Sequence, residues 1–338
     1  MKVIQVGIGG MGNAWIGAVQ RSDEVEFAGF VEISDDIAKQ QAERHNLDEN
    51  TIFKSLSEAI DKLDVDGVIN VTPPQFHKEI SFIALEAGIP VLSEKPLAGT
   101  IDDARAIVAK ANETGILHTI TQNYRYSALA QTVKSILDSG ELGAVGSINV
   151  EFFKGPHFGG FREEMPHPLI IDMSIHHFDM MRFFLDSNPA QLYARSWNPV
   201  WSWYDGDASA SVNVLFENGV QATYVGSWCS QGMETPWNAN WRFECEKGIL
   251  TLENDAVYIQ HMLGIEDRGG LRHVKNETTQ PVELVTMERQ AQDYLLHEFY
   301  EAVTHGKPTG TPAQDNIHTV EFVFGVVKSC DTGEIVKF

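Results

Sequence analysis

The sequence predicts an α/β protein of two domains. A parallel sheet sheathed in helices spans residues 1–122, and an α+β domain with a large, mostly antiparallel open sheet spans 123–338. Three observations predict this. A strand-like run, Val3-Ile4-Gln5-Val6, passes directly into Gly7-x-Gly9-x-x-Gly12 and then an apolar helical stretch. Short apolar runs alternate with helical patterns up to about residue 120, as parallel strands with crossover helices require. Period-two alternation then takes over, and six of the seven tryptophans fall between Trp197 and Trp241. A chain of 338 residues also exceeds one ordinary core.

The first-domain strands are read at Val3–Val6, Phe27–Val31, Val68–Val71, Val91–Ser93 and Leu117–Thr121, with helices at 14–21, 35–45, 56–62, 78–87 and 102–113 between them. Thr100 with Asp103 marks a helix start, and Gly88 and Gly115 sit where helix ends need them. In the second half, strands are read at 147–154, 191–197, 209–216, 220–228 and 241–246, with Asn218-Gly219 as a hairpin turn. The apolar segment Leu169–Leu185 reads as a buried helix, and 287–304 and 312–330 as two closing helices. In places along 209–216 and 220–228 apolar residues occupy both alternating positions, more than a solvated face needs, so a homodimer or homotetramer is expected.

Composition excludes several classes. With 43% hydrophobic and 21% charged residues the chain is globular, and no apolar run approaches the ~20 residues that cross a bilayer. A net charge of −22 argues against nucleic acid and anionic membranes as partners. Cys229, Cys245 and Cys330 form no CxxC, no signal peptide is read at the N-terminus, and a cytoplasmic location is expected. His157, His167, His176 and His177 have no tight ligand spacing, so no metal is expected.

The opening glycines carry the first chemistry. Gly7 permits a tight turn, Gly9 lets the backbone approach a pyrophosphate, and Gly12 lets the helix pack against the strand. The helix N-terminus then presents N–H groups to phosphate. Glu32, at the end of the second strand and twenty residues after Gly12, suits a ribose hydroxyl and would repel a 2′-phosphate. Hence NAD is expected, with NADP disfavoured.

Two further strand ends reach the same sheet edge. Thr72-Pro73-Pro74 is placed to contact a cofactor, and His77 follows it, although an ordinary helix-start residue fits His77 as well. Glu94-Lys95-Pro96 brings a cation able to steady a developing alkoxide; from position alone a plain surface pair fits equally. Asp172, His176 and Asp179 share one face of the apolar helix, and Asp beside His is an acid–base arrangement. The tryptophans read mainly as sheet core, with one or two left for a sugar-stacking surface.

Taken in order, the glycine loop, Thr72-Pro73-Pro74 with His77, Glu94-Lys95-Pro96, Asn123-Tyr124-Arg125-Tyr126, and Asp172-x-x-x-His176-x-x-Asp179 resemble the Gfo/Idh/MocA oxidoreductases over essentially the whole chain. The resemblance implies a Rossmann domain followed by a sheet domain, often assembled through the sheet's open face. It implies cofactor binding by Gly7, Gly9, Gly10, Met11, Gly12, Glu32, Thr72, Pro73, His77, Glu94 and Lys95. It implies Lys95 on the reacting hydroxyl, Asp172 on a substrate hydroxyl and His176 as proton acceptor; Arg125, His157 and His167 are read as further neighbours of the substrate. The expected activity is hydride transfer between NAD and a secondary alcohol or ketone of a sugar, cyclitol or related polyol. Alternatives within the family are an NAD-dependent glycosidase and a non-catalytic dinucleotide-binding regulator. Two departures stand out. Trp15 replaces a histidine common after the glycine loop, and Glu163-Glu164-Met165-Pro166-His167-Pro168 precedes Asp172 in place of the usual glycine pair.

Overall fold

The computed structural model describes residues 1–338, which divide into two compact units: 1–126 with 288–320, and 127–287 with 321–338. In the first unit, strands β1 (Lys2–Val6), β2 (Glu26–Val31), β3 (Ile52–Phe53), β4 (Gly67–Asn70), β5 (Val91–Ser93) and β6 (His118–Ile120) form one sheet in the order β3-β2-β1-β4-β5-β6. Every pairing is parallel. Helices α1 (Gly12–Arg21), α2 (Asp35–His45), α3 (Leu56–Lys62), α4 (His77–Glu86) and α5 (Ile101–Thr114) supply the crossovers. Successive strands run outward in both directions from the β1–β4 pair. That reversal opens a crevice at the carboxyl ends of those strands, where such sheets receive ligands.

Local chemistry accounts for the helix ends. Ser34, Ser55 and Thr100 each accept a backbone N–H from the first turn of α2, α3 and α5. Val3, Ile4, Val6, Val68, Ile69, Val91 and Leu92 are buried on both faces of the sheet, as helices on each side require.

The units depart from a division at 122/123 in two respects, the first being that residues 123–126 belong to the first unit. Residues 288–320 pack with the first unit. Leu295, Leu296 and Phe299 join the core of Val3, Trp15, Val19 and Ile69. Phe299 fits because Gly67 has no side chain: a Cβ there would lie 2.8 Å from its ring.

The second unit opens with α6 (Ala128–Ser139). Its sheet contains β7 (Val145–Phe153), β8 (Pro189–Trp197), β9 (Ser209–Phe216), β10 (Gln221–Ser227), β11 (Asn240–Cys245), β12 (Gly248–Glu253), β13 (Ala256–Arg268), β14 (Leu271–Asn276), β15 (Gln280–Val282) and β16 (Val336–Lys337). The order is β14-β13-β12-β11-β7-β10-β9-β8-β16, with β15 on β13. Only β7 and β10 pair in parallel. A short helix, α7 (Phe161–Glu164), precedes a π-helical turn at Leu169–Ser174 and α8 (Ile175–Leu185). The chain closes with α9 (Ala291–His305) and α10 (Ala313–Thr332), the latter shared between units.

One face of this sheet is covered. Phe178 of α8 stacks on Phe322 of α10 at 4.6 Å and meets Tyr224 edge-on, while Phe184 meets Trp241 and Phe243. On the other face β9 and β10 present Ser211, Asn213, Leu215, Gln221, Thr223 and Val225. Leu215 and Val225 are the apolar residues on that face, each set among polar neighbours. Beyond the sheet body, the β13–β14 ribbon exposes Leu263, Ile265, Leu271 and Val274.

Candidate functional site

Each unit carries its own candidate surface. In the first, β1 runs into Gly7, whose φ of +87° and close approach to Val71 O both exclude a side chain; a Cβ would lie 2.8 Å from that oxygen. At Gly12 a Cβ would lie 2.8 Å from Gly7 O, which holds the start of α1 against the turn. At Gly9 and Gly10 a Cβ would meet nothing within 4 Å, so the loop faces open space there. Met11 is exposed at the helix start.

Side chains not anticipated from the motif brace this loop. Gln5 Nε2 donates to Gly7 O and Gly12 O, both at 3.0 Å. Asn13 Nδ2 donates to Gly9 O and Gly10 O at 3.1 and 3.0 Å. Gln5 had a signal, a polar residue in the middle of a strand buried on both faces. Asn13 had none beyond its place in the first turn.

Glu32 lies at the end of β2, mostly buried, where its carboxylate accepts Ile8 N at 3.3 Å and Ser34 N at 3.0 Å. Lys54 supplies a cation the sequence did not bring forward. Its Nζ donates to Glu32 O at 3.1 Å and Ile33 O at 3.3 Å, and pairs with Asp35 at 2.6 Å. Lys54 thus closes the turn after β2, already engaged by an acid of the same turn.

At the ends of β4 and β5 two loops lie side by side. Thr72 N and Oγ1 donate to Asn70 Oδ1, and Pro73 is exposed. His77 is fully buried, with Nδ1 2.8 Å from Pro96 O and Nε2 2.8 Å from Thr72 O. It straps the two loops together rather than offering a group to the crevice. Burial pushes its pKa down, against the two carbonyls and the Glu94 carboxylate. Glu94 is also buried, accepting Trp15 Nε1 at 2.7 Å and Lys95 N at 3.1 Å. Lys95 precedes a cis peptide to Pro96. Arg125 is buried, directed to Gly310 O at 3.2 Å and Asp315 at 3.3 Å.

The dinucleotide fit follows from this geometry. An open loop of glycines, the N-terminus of α1 behind it, and a carboxylate at the end of the neighbouring strand are what a pyrophosphate and a ribose diol need. The residues present fit NAD.

In the second unit, Asp172 sits in the π-helical turn and His176 in the first turn of α8. Arg162 Nε donates to Asp172 Oδ2 at 2.6 Å, and its guanidinium lies over the rings of Phe158 and Phe161. Arg162 has no motif to announce it, standing ten residues before Asp172. His176 is buried, with 7% of its surface exposed. His177 points elsewhere: it is fully buried between Trp237 O at 3.1 Å and Tyr224 Oη at 3.4 Å, and burial pushes its pKa down to about 4. Asp179 is buried 3.9 Å from Arg182. His157 is exposed and stacks on Trp203 at 3.7 Å. His167 bonds Asp331 at 3.0 Å. Among the tryptophans, Trp228 and Trp241 are core, whereas Trp197, Trp201 and Trp237 keep about half their surface exposed.

Comparison with known proteins agrees with both halves. Residues 1–122 match the GFO_IDH_MocA model, described as an oxidoreductase family with an NAD-binding Rossmann fold, and residues 130–251 match the GFO/IDH/MocA C-terminal domain. The chain is 28% identical to a 1,5-anhydro-D-fructose reductase of Ensifer adhaerens, covering 86% of this chain and 85% of that one. It is 27% identical to inositol 2-dehydrogenase 1 of Paenarthrobacter aurescens, covering 100% and 96%. An Agrobacterium radiobacter oxidoreductase solved with NAD+, L-tartaric acid and magnesium shares the fold with a TM-score of 0.85 at 20% identity, covering 100% and 98%.

Proposed function

The chain belongs to the Gfo/Idh/MocA family of NAD-binding oxidoreductases, and we propose that it moves hydride between NAD and a secondary alcohol or ketone of a sugar, cyclitol or related polyol. The observation that carries this is the alignment of the glycine loop, Glu32, the Thr72 loop and Lys95 along the carboxyl edge of one parallel sheet. When bound, the nicotinamide supplies the hydride acceptor or donor. Backbone N–H groups of Gly9, Gly10 and Met11 hold the pyrophosphate, and Glu32 takes the adenosine ribose hydroxyls. Glu32 and Asp35 disfavour a 2′-phosphate, because the cation that closes this turn, Lys54, is already paired with Asp35.

Lys95 Nζ donates to the substrate oxygen and steadies its negative charge as the hydroxyl proton leaves. His176 accepts that proton on its ring, and Asp172, held by Arg162, accepts a hydrogen bond from a further substrate hydroxyl. Polar groups of this number suit a ligand with several hydroxyls, and a simple aliphatic alcohol leaves them unpaired. The relatives named for anhydrofructose and inositol support the same substrate class. The test is a panel of monosaccharides, sugar derivatives and cyclitols with either cofactor, read at nicotinamide absorbance. Turnover of at least one polyol with NAD, and little with aliphatic alcohols, is expected; reduction of NAD by non-polyol substrates alone would overturn the substrate class.

We place the protein in the cytoplasm as a homodimer or homotetramer. No helix is long and apolar enough to cross a membrane, and all three cysteines are free. The exposed β13–β14 ribbon favours association, since two strands alone make no core. Light scattering at micromolar concentration showing a monomer would remove this part.

A further inference from the structure

Resting on the role given to Lys95, we propose that Trp15 is a positioning residue for Lys95, acting through the buried carboxylate of Glu94. Trp15 lies three residues past Gly12 in α1 and is completely buried. A buried indole needs a partner for its N–H, and an ordinary backbone carbonyl suffices. Trp201, Trp203 and Trp241 use Cys229 O, Pro156 O and Asn238 O in this way. Trp15 instead donates to Glu94 Oε1 at 2.7 Å.

A carboxylate is a costly group to hide merely to satisfy an indole. It persists inside a protein where charge-assisted hydrogen bonds hold it. The second oxygen of Glu94 shows what it holds in return: Oε2 accepts the backbone N–H of Lys95 at 3.1 Å. The backbone N–H of Glu94 is itself bonded to Asn70 O at 2.8 Å, which fixes the stem of the side chain. On the far side of Lys95, Pro96 O meets His77 Nδ1 at 2.8 Å. The backbone that aims Lys95 is thus tied before and after it. Of the two ties, the one through Glu94 ends on the helix whose N-terminus the glycine loop begins. Trp15 touches no reacting atom; it fixes the carboxylate, and the carboxylate fixes the peptide from which the lysine extends.

Trp15→Phe keeps most of the ring and removes the N–H donor. It should lower kcat by about tenfold and leave NAD affinity by calorimetry within about threefold, because the glycine loop and Glu32 are untouched. In a Glu94→Gln background the same substitution should change kcat by less than about twofold, since its route to Lys95 is already altered. Without any substrate, the Lys95 backbone amide resonance should shift in Trp15→Phe and in Glu94→Gln, while the amide of Ile107 in α5 stays in place. If Trp15→Phe fails to fold, Glu94→Gln alone must still move the Lys95 amide and lower kcat. An unmoved Lys95 amide with normal kcat, or an equal Trp15→Phe effect in both backgrounds, overturns the proposal. Lys95→Ala separates the two levels. An active Lys95→Ala overturns the functional reading itself. An inactive Lys95→Ala beside a silent Trp15→Phe overturns the positioning role alone.

Discussion

The candidate surface of the first unit is built mainly from backbone, that of the second from side chains. Around Gly7–Gly12 the decisive contacts are carbonyl oxygens 2.8 Å from where a Cβ would stand, so residue type and spacing are dictated together. Around Asp172 and His176 nothing in the backbone demands those residues. Asp172 is held by Arg162 of α7, whose guanidinium lies over Phe158 and Phe161, and it stands in a π-helical turn that leads into α8, the helix of His176. π turns recur at functional sites because they widen the helix locally and re-aim its side chains. Backbone demands leave a contiguous mark in a sequence, whereas side-chain demands scatter theirs.

Substitutions should separate the two regions. Gly12→Val drives its side chain into Gly7 O and should weaken NAD binding by about 10²-fold or more, measured by calorimetry. Lys95→Ala and His176→Ala should each cut turnover by about 10²-fold or more with NAD affinity nearly unchanged. If His176→Ala instead lost NAD while keeping turnover per bound cofactor, the division of labour would be wrong.

Acid should strike both units through buried histidines. Burial holds His177 at about 4 and His118 at about 3, below the ordinary histidine value. Their neutral forms are therefore favoured by folding. The stability this confers is intact above about pH 6.5 and is lost as pH falls towards the folded values. For His177 the loss between pH 7.5 and 5 should be about 2 kcal/mol in urea unfolding. His177→Gln should flatten that slope, and an unchanged slope would assign the acid sensitivity elsewhere. A smaller effect is expected at Glu32. Its replacement by alanine should raise kcat/KM for NADP relative to NAD by about tenfold, with Lys54 freed to meet the phosphate only if Asp35 lets go. Smallest of all, Trp201→Ala should raise substrate KM by only a few-fold without touching NAD affinity; a larger loss would move Trp201 to the centre of the second-unit surface.

Much of this contrast was legible beforehand. Strand β5, helices α2 and α3, and strand β9 fall where periodicity and caps put them. Strand β3 was missed because two residues carry no period. α6 was missed although Ser127 and Gly140 cap it, since its apolar stripe follows directly on the first-domain pattern. Strands β12 to β15 were missed because their outward residues are mixed, and β14 is exposed throughout. The attachment of α9 to the first unit was illegible for a different reason: it depends on Gly67 leaving room for Phe299, a fit between residues far apart in the chain. His77 was visible as a residue, but its place as a buried strap between Thr72 O and Pro96 O became visible only in three dimensions.

Hydride transfer from a polyol carbon to NAD carries the carbinol hydrogen into the cofactor, where an isotope label reveals it. A polyol found active in the panel, deuterated at its reacting carbinol carbon, is incubated with enzyme and NAD, and the reduced nicotinamide is examined by mass spectrometry. One deuterium in the reduced cofactor and a slowed initial rate are expected, with no labelled cofactor formed by Lys95→Ala or His176→Ala. Label retained in a redox-neutral product, or washed into solvent with no reduced cofactor accumulating, would contradict it.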